Sequence, residues 1–93
     1  MKVDVIHNSA ASRFEATVEG QLCVCQYRMY GRLMMFTHTG VPTALRGRGI
    51  AAELVRVALD HARAHGFKVR PDCSYVEAYM RRHPDTQGLL LQP

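Results

Sequence analysis

The sequence predicts an α+β fold: a mixed, mostly antiparallel sheet of about five strands, in the order of four strands, a helix, a fifth strand and a second helix. Three observations carry this expectation. Apolar and polar residues alternate through residues 3–39, the apolar spacing turns helical from residue 49, and "FKVRP" at 67–71 resumes a strand before a second helical stretch.

Taken in order, "VDVIH" and then Phe14, Ala16 and Val18 in "RFEATVEG" alternate with polar neighbours, as half-buried strands do, and Glu19-Gly20 is a turn signal. "QLCVCQYRMY" alternates again. Tyr30-Gly31-Arg32 interrupts before "LMMFTHT", whose more uniform apolar run suits a central strand ending near Val41. Short turns among these four predict an antiparallel meander. The first helix carries Ile50, Leu54, Val57, Ala58 and His61 on one stripe, with Glu53, Arg56, Asp60 and Arg63 outside it, and Gly66 as its C-cap. A strand reached through a helix favours parallel pairing with an earlier strand. In "SYVEAYMRRH", Ser74 and Glu77 read as a capping box and His83-Pro84 ends the helix. The leucines of the tail "DTQGLLLQP" are expected to pack back on the core.

Ninety-three residues suffice for one small core and not for two, so residues 1–93 are expected to form a single domain. A composition of 47% hydrophobic and 22% charged residues is that of a folded chain rather than a disordered or fibrous one. There is no apolar run of signal-peptide or membrane-spanning length, and Cys23, Cys25 and Cys73 form no CxxC pair, which suits a reducing compartment; a soluble cytoplasmic protein is expected. Zinc does not fit this cysteine spacing. His61 and His65, four apart on one helix, lack a third ligand, so no metal is expected. Net charge is +4 and arginine supplies ten of the twelve basic residues, which suits an anionic partner, although scattered solvated charge gives the same balance.

The most specific stretch is "LRGRGIAAELV". A strand ending near Val41, a glycine-containing loop and a helix starting near Gly47 to Gly49 put unpaired backbone N–H groups and the positive end of a helix dipole at one point. Such a point binds an anion, typically a phosphate. Gly47 and Gly49 allow close backbone approach, and Arg46 and Arg48 can neutralise further oxygens. The competing reading is a plain turn with solvated arginines.

"RGRGIA" resembles the R/Q-x-x-G-x-G/A pattern with which the GNAT superfamily of acyltransferases holds the pyrophosphate of acetyl-coenzyme A, with Arg46, Gly49 and Ala51 in the defining places. "VPTALRGRGIAAELV", "ALDHAR" and "VRPDCSYVEAYMRRHP" together resemble the small stand-alone members of that superfamily over nearly the whole chain. The resemblance implies a sheet splayed between its fourth and fifth strands, with the pantetheine arm in the gap. It implies backbone hydrogen bonds from Val41 to that arm, and a pyrophosphate surrounded by Arg46, Gly47, Arg48, Gly49, Ile50 and Ala51. The activity implied is acetyl-coenzyme A-dependent N-acetyl transfer to an amine of a small molecule or a protein. Helices that usually help form the acceptor site are missing between the first strands, so an open acceptor side is expected.

Many family members use a glutamate on or beside the fourth strand as base, and this chain has no acidic residue between Glu19 and Glu53. His38 is the only ordinary general base on that strand; it is expected on the face of Met34 and Phe36, where a core or edge histidine is the alternative. Cys73 sits where a helix N-terminus and nearby Arg70 favour a thiolate. By resemblance it falls beside the acetyl group, as a covalent acceptor or as pocket lining. Tyr79 falls where such enzymes often keep the acid for the coenzyme A thiolate, and Tyr75, one turn earlier, competes with it. Two other classes stay open: a catalytically silent coenzyme A sensor, and a basic nucleic-acid-binding module, for which no RNA or DNA motif is recognisable. No membrane partner is expected, and the chain is expected to be a monomer or weak dimer.

Overall fold

The computed structural model of the chain describes residues 3–91. Five strands form one sheet: β1 (Ile6–Asn8), β2 (Arg13–Val18), β3 (Gln21–Tyr30), β4 (Leu33–Gly40) and β5 (Lys68–Pro71), in spatial order β1-β2-β3-β4-β5. The first four pair antiparallel and β5 runs parallel to β4. Helix α1 (Ile50–Ala64) makes the crossover, and α2 (Ser74–Arg82) follows β5.

Alternation along the strands explains which face is covered. Phe14, Ala16, Cys23, Cys25, Tyr27, Met34, Phe36 and Val69 share one side of the sheet by register, and all are buried. They join Ile50, Leu54, Val55, Ala58, Leu59 and Ala62 of α1 and Val76, Tyr79 and Met80 of α2 in a single cluster. Side chains of the other face, among them Leu22, Val24, Leu33 and Met35, are half-buried or exposed. The β2–β3 connection is the two-residue turn Glu19-Gly20, both at positive φ (51° and 76°), whose twist matches the flanking strands.

Helix α1 ends in a Schellman motif: Gly66, at φ 69°, donates its N–H to the Arg63 carbonyl (3.2 Å) and Phe67 donates to that of Ala62 (2.9 Å). The chain is thereby turned straight into β5. On the outer side of α1, Arg56 bridges Glu53 and Asp60, and Arg63 continues the ladder from Asp60; such exposed pairs stabilise a helix only slightly.

The expected capping box at α2 does not form. Cys73 is extended (φ −81°, ψ 129°) and is itself the N-cap, so Ser74 already belongs to the helix. With the N-cap one residue earlier than expected, Glu77 is the fourth helical residue rather than the third, and its carboxylate accepts from Arg81 instead; Cys73 donates its own N–H to the Phe36 carbonyl (2.8 Å). The tail forms a 3₁₀ turn over Pro84–Leu89. Leu89 is buried and Leu90 bridges to Val69, while Leu91 is exposed, so the leucines dock only in part.

Two irregularities shape the far end of the sheet. β5 pairs with β4 only from Leu33↔Lys68 to Phe36↔Pro71, so the stretch of β4 from Thr37 to Gly40 has no partner on that side and the sheet splays there, as expected. In the β3–β4 ladder Gln26 faces His38 while the next residue, Tyr27, faces Phe36, leaving Thr37 as an extra residue in β4. A bulge of one residue inverts the alternation beyond it. His38 is therefore exposed on the face opposite Met34 and Phe36, which corrects the sequence expectation, and Thr39 takes the inward side opposite Cys25.

Candidate functional site

A cleft of about 420 Å³ opens where β4 leaves the sheet, lined by Thr39, Val41, Leu45, Arg46, Gly47, Gly49, Ile50, Ala51 and Tyr75. The loop from β4 to α1 builds one wall. Pro42 ends the strand, Thr43–Leu45 make one 3₁₀ turn, and Leu45 is buried as the loop's anchor. Gly47 and Gly49 lie at φ 83° and 81°, in left-handed backbone that a side chain strains, and a Cβ on either would point into open space. Gly49 is the N-cap of α1, and the first intrahelical bond is donated by Glu53 to its carbonyl (3.1 Å). The N–H groups of Ile50, Ala51 and Ala52 therefore have no partner within the helix, and they stand at the positive end of its dipole.

The sequence expectation named seven residues for coenzyme A, Val41 for its pantetheine arm and six for its pyrophosphate, and the structure brings Val41, Arg46, Gly47, Gly49, Ile50 and Ala51 to this cleft. Arg46 bends back over the loop, its Nε donating to the Val41 carbonyl at 3.3 Å. Arg48 points away and is paired with Glu19.

Cys73 stands beside the cleft, its Sγ 3.5 Å from the Oγ1 of Thr39, while Tyr75, two residues on, reaches the cleft wall. Burial raises the cost of ionising the Cys73 thiol. The Thr39 hydroxyl and the backbone N–H groups of Val76 and Tyr75 outweigh it, so the thiol titrates below its ordinary value. Those N–H groups make no ordinary capping bond to the neutral thiol; their effect is on the thiolate at a helix N-terminus. Arg70 does not contribute as the sequence suggested. It pairs twice with Asp72 (both 2.9 Å), and the register places it beside Met35 on the open face.

Tyr79 is buried, stacks on the His83 ring at 3.9 Å and is not among the cleft-lining residues; burial raises its pKa. Tyr75 lines the cleft, is 37% exposed, and burial of its phenol raises its pKa too. Sequence reasoning missed Thr39. Its position follows from the bulge, for which "FTHTG" carries no signal. Among the described residues, no three His, Cys, Asp or Glu side chains group to hold a metal, and no helix is long and apolar enough to cross a membrane.

A splayed sheet with a glycine-opened helix N-terminus in the gap matches what the motif at 46–51 implied. The sequence profile of the GCN5-related N-acetyltransferase family matches residues 13–89, and the chain belongs to that family. It is 35% identical to protein NATD1 of Gallus gallus and of Mus musculus over 95 aligned residues, covering 98% of this chain and 86% of each relative. Protein NATD1 of Danio rerio is 29% identical, with 95% of this chain and 83% of that protein covered. The fold is that of a GCN5-like protein from Staphylococcus aureus solved by NMR, with a TM-score of 0.76 at 22% identity, covering 97% of this chain and 89% of that one.

Proposed function

We propose that the chain is an acetyl-coenzyme A-dependent N-acetyltransferase whose acyl group passes through Cys73 to an amine. One observation carries the reading: two left-handed glycines and the partnerless N–H groups of α1 meet, in one cleft, the unpaired stretch of β4. A pyrophosphate fits the first, since anions bind helix N-termini. An extended amide-bearing arm fits the second, since Thr37–Gly40 presents free backbone groups where β5 has turned away. When bound, acetyl-coenzyme A supplies the activated thioester.

On this reading Arg46, Gly47, Gly49, Ile50 and Ala51 hold the pyrophosphate, with Arg48 at its flank, and Val41 offers backbone groups to the pantetheine. The Cys73 thiolate attacks the acetyl carbonyl carbon; a Cys73 S–C bond forms, the thioester C–S bond breaks, and the departing thiolate takes a proton from Tyr75. The acceptor amine then attacks the acetyl-Cys73 carbonyl: its N–C bond forms, the Cys73 S–C bond breaks to give back the thiolate, and the proton the amine loses returns to the Tyr75 oxygen. Tyr79, buried against His83, serves the packing of α2 beneath Tyr75, and no step falls to His38. The acceptor is an amine of a small molecule or a protein.

Titration calorimetry with coenzyme A, followed by intact mass measurement after incubation with acetyl-coenzyme A, tests the reading. Binding heat and an acetyl adduct that disappears in Cys73→Ala are expected. No heat and no thermal shift at about millimolar ligand overturn coenzyme A binding. Binding with neither adduct nor turnover across an amine panel makes the protein a coenzyme A sensor.

A further inference from the structure

We propose that Thr39 is the positioning residue of the Cys73 sulfur, its hydroxyl donating to the thiolate and holding it beside the cleft. The inference deepens the acyl-transfer reading and rests on it for its function, but its structural basis is separate. Three observations converge on Thr39.

The first is contact: Thr39 Oγ1 lies 3.5 Å from Cys73 Sγ, across 34 residues of sequence, and the same side chain lines the cleft. The second is the bulge. Without the extra residue Thr37, strand alternation would put Thr39 on the open face and His38 inward; the irregularity exchanges a titratable ring for a hydroxyl beside the sulfur. Bulges recur next to sites because they re-aim a side chain in this way.

The third observation bears on the direction of the hydrogen bond, since the contact by itself lets either atom donate. Thr39 is paired across the ladder with Cys25, which is fully buried. Burial pushes the Cys25 thiol up to about 12, so it keeps its proton. A threonine hydroxyl has one proton to give. Of its two sulfur neighbours only Cys73 gains from receiving that proton's hydrogen bond, because only Cys73 is exposed enough to ionise. No charged side chain substitutes: the groups acting on Cys73 are the Thr39 hydroxyl and the N–H groups of Thr39, Tyr75 and Val76, and its titratable neighbour across β4 is Cys25.

The test needs no coenzyme A. The pH dependence of iodoacetamide alkylation at Cys73, followed by peptide mass mapping in the full chain, reads the thiolate directly. Thr39→Val keeps the shape and strand preference and removes the hydroxyl. Its profile is expected to move up by about half a pH unit, slowing alkylation at neutral pH about threefold, with Thr39→Ser restoring the wild-type profile. A wild-type profile in folded Thr39→Val overturns the proposal. Should Thr39→Val fail to fold, Thr39→Ala against Thr39→Ser gives the same comparison, and equal profiles there overturn it as well. A loss of thermal stability without a shifted profile is a structural role only and counts against it. Failure of coenzyme A binding in the wild type sinks the acyl-transfer reading while leaving this measurement decisive for Thr39.

Discussion

The Arg48 guanidinium is paired with the Glu19 carboxylate, joining the β2–β3 turn to the loop that opens α1. Of the two arginines in "RGRG", one faces the cleft and the other is held away from it. Arg46→Ala is therefore expected to weaken coenzyme A binding about tenfold, and Arg48→Ala no more than about threefold. Glu19→Gln releases Arg48 toward the anion and should tighten binding slightly, more at low salt than at high. Calorimetry at two salt concentrations measures all three; equal losses from the two arginine variants would show that the pair opens on binding and both guanidinia reach phosphate.

Gly49→Asp places a carboxylate at the helix N-cap, facing the site of the proposed pyrophosphate, on backbone at φ 81° that a side chain strains. Affinity for coenzyme A should fall at least tenfold, about 1.4 kcal/mol, through charge repulsion and obstruction. The circular dichroism spectrum should keep its strand and helix content. Unchanged affinity in a folded variant would place the pyrophosphate elsewhere.

The two tyrosines of α2 separate by position. Tyr75 lines the cleft, so Tyr75→Phe should lower turnover about a hundredfold with little change in coenzyme A affinity, the range of a lost general acid. Tyr79→Phe keeps the ring stacked on His83 and should retain most of the activity. Steady-state kinetics on both variants decides the assignment, and the opposite pattern would return the acid role to Tyr79.

Three histidines meet at the other end of α1. The His7 ring stacks on Phe14 (4.2 Å), meets His61 edge-on (4.5 Å) and hydrogen-bonds Tyr27 through Nε2, and His61 stacks on His65 (4.1 Å). Burial, reinforced by His65, lowers the pKa of His7 and of His61 from 6.5. A lowered folded-state value means the unfolded chain takes up protons first. The stability these rings contribute is complete above about pH 6.5 and is lost as pH falls from there through their lowered values. Urea unfolding at about pH 7.5 and about pH 5.5 should show the loss, and His61→Leu should shrink it. An identical loss in that variant would assign it to other groups; the carboxylates of Glu15 and Glu53, lowered mainly by Arg13 and Arg56, titrate further into acid.

Much of the architecture was legible because it is local. Alternation in Phe14, Ala16 and Cys23–Tyr27 specifies a face as soon as strands form, and helical spacing from Ile50 specifies which side of α1 is buried. Gly66 could be read as a helix stop because only its left-handed conformation completes the Schellman bonds. The glycine loop ahead of α1 was legible for the same reason: glycines at 47 and 49 and the helix behind them are neighbours in the chain, and six of the seven residues expected at the coenzyme A site line the cleft.

What only the tertiary structure decided is how distant segments share their hydrogen-bonding groups. Whether Arg48 faces an anion depends on Glu19, 29 residues earlier, and the start of α2 is tied to β4 by the Cys73 N–H, which donates to the Phe36 carbonyl. Largest in effect is the bulge at Thr37. Side-chain direction in a strand has period two, so one extra residue sends His38 to the open face and brings Thr39 to Cys73. The sequence by itself determined the strands, the helices and the glycine loop that opens α1, since each is encoded by residues a few positions apart. Which side chains meet at the sulfur was set by ladder register and by the parting of β5 from β4, both properties of strands paired in space.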